Sequence, residues 1–269
     1  MTTSAHSPLP LADRPDADLP GHWLLARLGK RVLRPGGVEL TRRLLAAAEV
    51  GGADVVELGP GLGRTASDIV AAKPRSYVGV DDTAAATEAV RAIVEPVAGK
   101  VVVADAAETG LPDGSADVVI GEAMLTMQGD RNKRAIVAEA FRVLRPGGRY
   151  AIHELGLQPD TLPQEAKDQI RKDMARAIKV NARPLTTSEW VELLTDAGFE
   201  VVSVDHAEMA LLDPRRMIAD EGLRGVLRIV GNLLRRPAAR KRVLTMRRTF
   251  NLYRDALTAI AVVGVVPQE

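Results

Sequence analysis

Residues 54–66, DVVELGPGLGRTA, constrain the fold of this chain more than any other stretch. Asp54 to Leu58 form a short apolar run of the kind that makes a buried strand. Glycines follow at 59, 61 and 63, and helical spacing begins directly after them. A strand, a glycine turn and a helix make a corner at which a nucleotide-like ligand lies against the backbone. Glycine suits it because, lacking Cβ, it adopts positive φ and leaves the ligand room. A dinucleotide fingerprint, G-x-G-x-x-G, requires its third glycine at position 64, where this chain has Arg64. The strand also carries an acid near its end, Glu57, which suits a cationic group and repels a pyrophosphate.

Gly59, Gly61, Gly63 and Glu57 are therefore expected to hold a ligand with an ammonium group and no phosphates. S-adenosylmethionine has that chemistry. Glu57 also has a local reading, a strand end that bonds to a neighbour. The alternative for the whole corner is a dinucleotide-dependent oxidoreductase, which Arg64 disfavours. Residues 76–82, SYVGVDD, read as a second strand ending in Asp81, 22 residues past Gly59. A ribose-binding acid is expected about 20 residues after the first glycine. Asp81 is placed on the ribose, with Asp82 beside it; Asp82 or Thr83 is left to cap the next helix. Residues 101–106, VVVADA, read as a third strand ending in Asp105, followed by Ala106. LPDGSADVVIGEA (111–123) gives a turn, a fourth strand and Glu122, and EAFRVLRPGGRYAIHEL (139–155) a helix end, a turn and a fifth strand with His153. Alternating strands and helices imply a parallel sheet with right-handed crossovers. Runs such as VVV (101–103) suit a sheet buried on both faces. Ligands bind at the carboxyl ends of such strands, where Glu57, Asp81, Asp105, Glu122 and His153 all fall.

The ordered set ELGPGLG, GVDD, ADA, LPDGSADVV and RVLRPGG resembles the class I S-adenosylmethionine-dependent methyltransferases over about residues 50–212. It is most similar to the branch containing the ubiquinone and menaquinone C-methyltransferases and many small-molecule methyltransferases. The resemblance implies an α/β, Rossmann-like, doubly wound seven-stranded sheet with the last strand antiparallel. It implies S-adenosylmethionine as cofactor and in-line methyl transfer to a small, apolar acceptor. It also implies that Asp105, with Ala106, accepts from the adenine amino group; the competing reading of Asp105 is a turn residue. Glu122 is given a cofactor contact and a candidate catalytic role. His153 is the other candidate base, since imidazole titrates near neutrality; its bland reading is a satisfied core histidine. Glu154 competes with both. A sulfonium is already activated, so holding the reactants in line is an alternative to any base. A protein that binds S-adenosylmethionine without catalysis has the same motifs. The loop after strand four reads GEAM, not an NPPY-like motif, which argues against methylation of nucleic-acid amino groups.

Composition sets bounds. The 269 residues suffice for one large domain with additions, and the net charge of +1 points to no nucleic-acid partner. The absence of cysteine excludes disulfides, thiolate zinc sites and cysteine nucleophiles, and counts against the arsenite methyltransferases. Four scattered histidines give no expectation of a metal. Residues 1–21 read as a flexible lead-in without a signal-peptide pattern, ahead of a methyltransferase domain over 22–269. No run reaches the ~18 apolar residues of a membrane span. The expected location is the cytoplasm.

Several segments are additions to this core. Trp23, Leu24, Leu28 and Val32 predict a helix over 22–33, stopped by RPGG, and a second helix runs over 38–49; these are expected to cap the acceptor site. The heptamer RVLRPGG occurs at 31–37 and 142–148 with no repeat around it. Residues 156–185 form an insertion with a helix over 164–180, Ser188 is expected to cap the next helix, and 199–212 read as strand six. The final strand, 257–266, comes some forty residues late. The intervening 213–254 carries twelve basic residues against three acids, a net charge of +9 that leaves −8 for the rest of the chain. Leu223, Leu227, Val230 and Leu234 follow helical spacing, and a second helix is expected at 238–250. The leading expectation is a lid whose apolar face lines the acceptor pocket. The others are peripheral contact with a membrane holding a lipid-like acceptor, and a homodimer that buries the stripe. With only Phe250 and Tyr253 to stack on bases, nucleic acid fits poorly.

Overall fold

The computed structural model describes Leu11 and residues 13–268. The DVVEL run forms β1 (Asp54–Leu58), with parallel neighbours β2 (Ser76–Asp81) and β4 (Ala116–Glu122); Val56 lies opposite both Val78 and Val119. Beyond β2 lies β3 (Lys100–Val103), and beyond β4 lies β5 (Leu144–Leu157). The apolar run LTAIAVVGV forms β8 (Leu257–Val265), antiparallel to β5 on one side and to β7 (Glu200–Glu208) on the other. The order β3-β2-β1-β4-β5-β8-β7 is the seven-stranded path expected, with the two-residue β6 (Leu185–Thr186) attached to β5.

Helices cover both faces. On one, α2 (Gly37–Ala47), α3 (Arg64–Ala71) and α4 (Ala84–Val94) bury Leu40, Leu44, Ile69 and Val90 against Val55, Tyr77, Val118 and Ala261. On the other, α5 (Asp130–Val143) and α7 (Thr187–Thr195) bury Ile136, Val137, Trp190 and Leu194 against Val56, Val119, Ile152 and Val262. A third apolar cluster joins α1 (Gly21–Arg27), α6 (Gln164–Ile178), α8 (Pro214–Arg235) and α9 (Pro237–Leu252) through Leu24, Met174, Ile229 and Met246.

Several sequence expectations change. The run VVV is not buried on both faces: β3 is the edge of the sheet, Val103 is 57% exposed, and the strand ends two residues before Asp105. The first helix stops at Arg27 because Gly29 turns to φ +103, leaving 28–36 as irregular chain. Thr186, not Ser188, caps α7: its side chain accepts from the Glu189 N–H while Glu189 reaches back to the Thr186 N–H. The lead-in expected over 1–21 lies partly outside the described residues, and its described end is fixed. Leu19 is buried, and Asp16 pairs with Arg27 at 2.9 Å and Arg236 at 3.2 Å.

The largest correction concerns the basic insertion. The stripe Leu223, Leu227, Val230 and Leu234 faces outward, 69%, 71%, 44% and 66% exposed. Beneath α8 lies polar backbone instead. Glu221 Oε1 accepts from the N–H groups of Arg31 and Val32, each at 2.9 Å, and Asp220 Oδ1 accepts from Val38 N–H at 3.2 Å. Asn232 donates to the Leu28 carbonyl at 3.0 Å. Unpaired backbone donors cost more to bury than apolar surface costs to expose, so the acids turn inward. Gly222, at φ 68 and ψ 168, breaks α8 just after them. The insertion's inward apolar contacts come from Ile229 of α8 and from Met246 and Phe250 of α9.

Candidate active site

The corner between β1 and α3 takes positive φ at all three glycines, +64 at Gly59, +54 at Gly61 and +75 at Gly63. Gly63 serves packing: a Cβ there would collide with Ile93 Cδ1 on α4. A cavity of about 370 Å³ opens above the corner, within the usual range for small-ligand sites. It lies at the carboxyl ends of β1, β2 and β4, where the strand order reverses. Of the expected site residues, Glu57, Gly59, Gly61, Asp81, Asp82, Asp105, Ala106 and Glu122 line it; Gly63 and His153 do not.

Asp81 shapes the turn as well as facing the cavity. Its Oδ2 accepts from Gly61 N–H at 3.2 Å and its Oδ1 from Thr83 N–H at 2.9 Å. Burial raises its carboxyl above the usual range, against the pull of these two bonds. Thr83 starts α4 without a side-chain cap, its hydroxyl donating to Asp82 at 2.9 Å. Asp105 accepts from Ala107 N–H at 2.8 Å, so it is a turn residue that also borders the cavity. Glu57 is buried, accepts from the Tyr77 hydroxyl at 2.6 Å, and is pushed up to about 8, chiefly by burial.

Glu122 is the hub of the site. Thr41 and Thr65 hydroxyls donate to its two oxygens at 2.5 Å each, His153 Nδ1 lies 2.8 Å away, and Arg34 Nε pairs with it at 3.2 Å. Burial alone would raise its carboxyl; Arg34 and the hydrogen bonds from His153 and Thr41 outweigh it and hold the group at about 2. A carboxylate so fully occupied is a fixed negative charge and a poor proton acceptor. His153 is entirely buried behind it. Gly36 N–H donates to Nε2 at 3.0 Å, so the ring proton sits on Nδ1, toward Glu122, and both nitrogens are engaged. The base expected at His153 is thus a bridge between Glu122 and the 28–36 segment. Glu154 is also structural: it accepts from the N–H groups of Met124, Leu125 and Thr126 and from the Thr126 hydroxyl.

A second cavity of about 110 Å³ adjoins the first, sharing His22, Leu33, Ala123 and Met127 with it. Its other walls are mostly apolar, including Leu25, Leu155, Met174, Ile178, Met246 and Phe250. His22 borders both cavities and makes no hydrogen bond to a described residue; burial lowers it to about 4. The sequence had concealed it on a helix face. Arg34 was hidden in what looked like a helix stop. It is 5% exposed and borders the first cavity, and its Nη2 has no partner among the described residues.

Residues 56–152 match the methyltransferase domain family. The strand order, with its antiparallel β8, is the Rossmann-like fold of solved methyltransferase structures. An uncharacterized protein of Haemophilus influenzae is 36% identical over 247 residues, 90% of this chain and 96% of its own. A Mycolicibacterium smegmatis protein named a probable S-adenosylmethionine-dependent methyltransferase is 34% identical over 171 residues, 61% of this chain and 60% of that one. Among solved structures, phosphoethanolamine N-methyltransferase 2 of Haemonchus contortus bound to S-adenosylmethionine superposes with a TM-score of 0.67. At 18% identity, over 94% of this chain and 58% of that one, it shares the fold.

Proposed function

We propose that the chain methylates a small, apolar acceptor held in the second cavity. The observation that carries this reading is the junction of the two cavities, one lined by acids at strand ends and the other by aliphatic and methionine side chains. When bound, S-adenosylmethionine supplies a methyl group on a sulfonium, and the C–S electron pair leaves with sulfur as a neutral thioether. Its charged groups match the polar cavity. Glu57 and the fixed charge of Glu122 suit the ammonium, the buried and unpartnered Arg34 Nη2 suits the carboxylate, and Asp81 and Asp82 suit the ribose hydroxyls. Asp105 and Ala106 take the adenine end.

The apolar walls exclude water and orient the acceptor. His22 borders both cavities and, kept uncharged by burial, has a ring nitrogen free to accept a hydrogen bond from an acceptor O–H or N–H; at about 4 it is a weak base, so its role is to orient the acceptor. The motif resemblance to the ubiquinone and menaquinone C-methyltransferases supports a lipid-like acceptor, such as a quinol or phenol with an apolar tail. The test is incubation with S-adenosylmethionine and a panel of apolar phenols, quinols and amines, read by mass spectrometry. A gain of one methyl group, lost or slowed in His22→Ala, supports the assignment. Binding of S-adenosylmethionine without turnover on any panel member favours a non-catalytic binder.

A further inference from the structure

We propose that the outer face of α8 docks on the surface of an anionic lipid bilayer. Leu223, Leu227, Val230 and Leu234 recur at intervals of four, three and four, which sets them in one stripe along the helix. The stripe is exposed, whereas Ile229 on the opposite face is buried. Arg224, Arg228 and Arg235 follow the stripe along one edge, and none forms a side-chain hydrogen bond or ion pair with a described residue.

A helix that merely faces water looks different here. On α6, Arg171 and Arg176 each meet an acid three residues earlier, Asp168 and Asp173. From Leu223 to Arg254 the chain has ten basic residues and no acid. Within that segment no acid answers this charge; Arg236 and Arg254 reach acids outside it, Asp16 and Asp255, and Arg242 reaches backbone carbonyls. The apolar stripe lacks cover. A leucine stripe edged by arginines is the pattern of a helix lying in the plane of a membrane interface. No helix among the described residues is long and apolar enough to cross a bilayer, so the contact is with the surface. A second copy of the chain fits less well, because an antiparallel twofold pairing of α8 sets the arginine edges side by side, and in a parallel one α8 from Leu223 onward offers neither edge an acid. Anionic headgroups answer both features, the arginines by charge and the leucines by insertion below the headgroups.

The test is co-sedimentation of the full chain with vesicles of phosphatidylcholine alone or mixed with phosphatidylserine. Binding to the mixed vesicles and not to the neutral ones is expected, with loss at molar salt, where the Debye length is about 3 Å. Arg224→Glu and Arg235→Glu should each weaken partitioning by roughly fivefold or more. Leu227→Ser with Leu234→Ser should abolish it. These exposed positions leave the core intact, which an unchanged melting temperature verifies. Equal binding to both vesicles, no binding to either, or full binding by the serine variant overturns the proposal. So does a dimer in sedimentation velocity that the same serine variant dissociates.

Discussion

The protonation of Glu57 gives a test of the cofactor site that needs no knowledge of the acceptor. Its carboxyl is raised from the usual 4.5 to about 8, mainly by burial. At pH 7 about nine in ten molecules therefore carry this proton, since a gap of one pH unit is about tenfold. An ammonium placed beside a carboxyl favours the ionised form, typically by 1–3 pH units. A fall of about two would leave about one molecule in ten protonated, so binding should release roughly 0.8 proton. Isothermal titration calorimetry at pH 7 in phosphate and in Tris measures this, because the observed enthalpy varies with the buffer's ionisation enthalpy in proportion to the protons released. S-adenosylhomocysteine carries the same ammonium and should give the same release. Glu57→Gln should abolish the buffer dependence. An enthalpy independent of buffer, or a release that persists in Glu57→Gln, would refute the placement of the ammonium at Glu57.

Other expectations follow from the same geometry. The folded ligand-free chain keeps the Glu57 proton between pH 4.5 and 8 while the unfolded chain loses it, so this group's contribution to stability declines across that window. Thermal melts of wild type against Glu57→Gln over that range should show the difference. His153→Ala strands the Gly36 N–H and removes a donor to Glu122, at a cost of about 1–3 kcal/mol by denaturant unfolding. Turnover on an identified acceptor should fall by less than tenfold; a loss of about 10²–10⁴-fold would restore a base role. Gly63→Ala meets Ile93 and a positive φ and should cost about 1–3 kcal/mol, visible as a lower melting temperature with weaker cofactor binding. Thr186→Ala removes the cap of α7 and should cost about 1 kcal/mol, a decrease of roughly 2–4 °C in Tm with cofactor affinity unchanged.

The parts legible in the sequence were those written in local order. A glycine corner follows an apolar strand, and acids stand at strand ends, so Glu57, Asp81, Asp105 and Glu122 could be set on one edge before any coordinates. Period and position along a strand do not reveal what a side chain meets. His153 stands at the right height on β5, but β4 places Glu122 directly opposite and the Gly36 N–H closes over the ring. Arg34 illustrates the converse. Its RPGG context is shared with Arg145, which binds Asp54 and Asp117 at the far end of the sheet, while Arg34 is folded into the site by Thr41 and Glu122. The orientation of α8 was misread because amphipathic patterning assumes that the larger apolar face turns inward. Here, the backbone donors of Arg31, Val32 and Val38 determined the inner face.

The position of β8 governs how the chain can be assembled. Although it follows every other strand in sequence, it sits between β5 and β7, and among the described residues it is the only strand that β7 pairs with. Until β8 arrives, β7 has no strand partner and β5 presents a bare edge that other chains can pair with. The two basic helices precede β8, so this edge stays open while they are synthesised. A polypeptide interrupted before Leu257 would be an aggregation-prone fragment, with the glycine corner already encoded but the sheet unable to close. The site at the glycine corner therefore depends on a strand that contributes no side chain to either cavity.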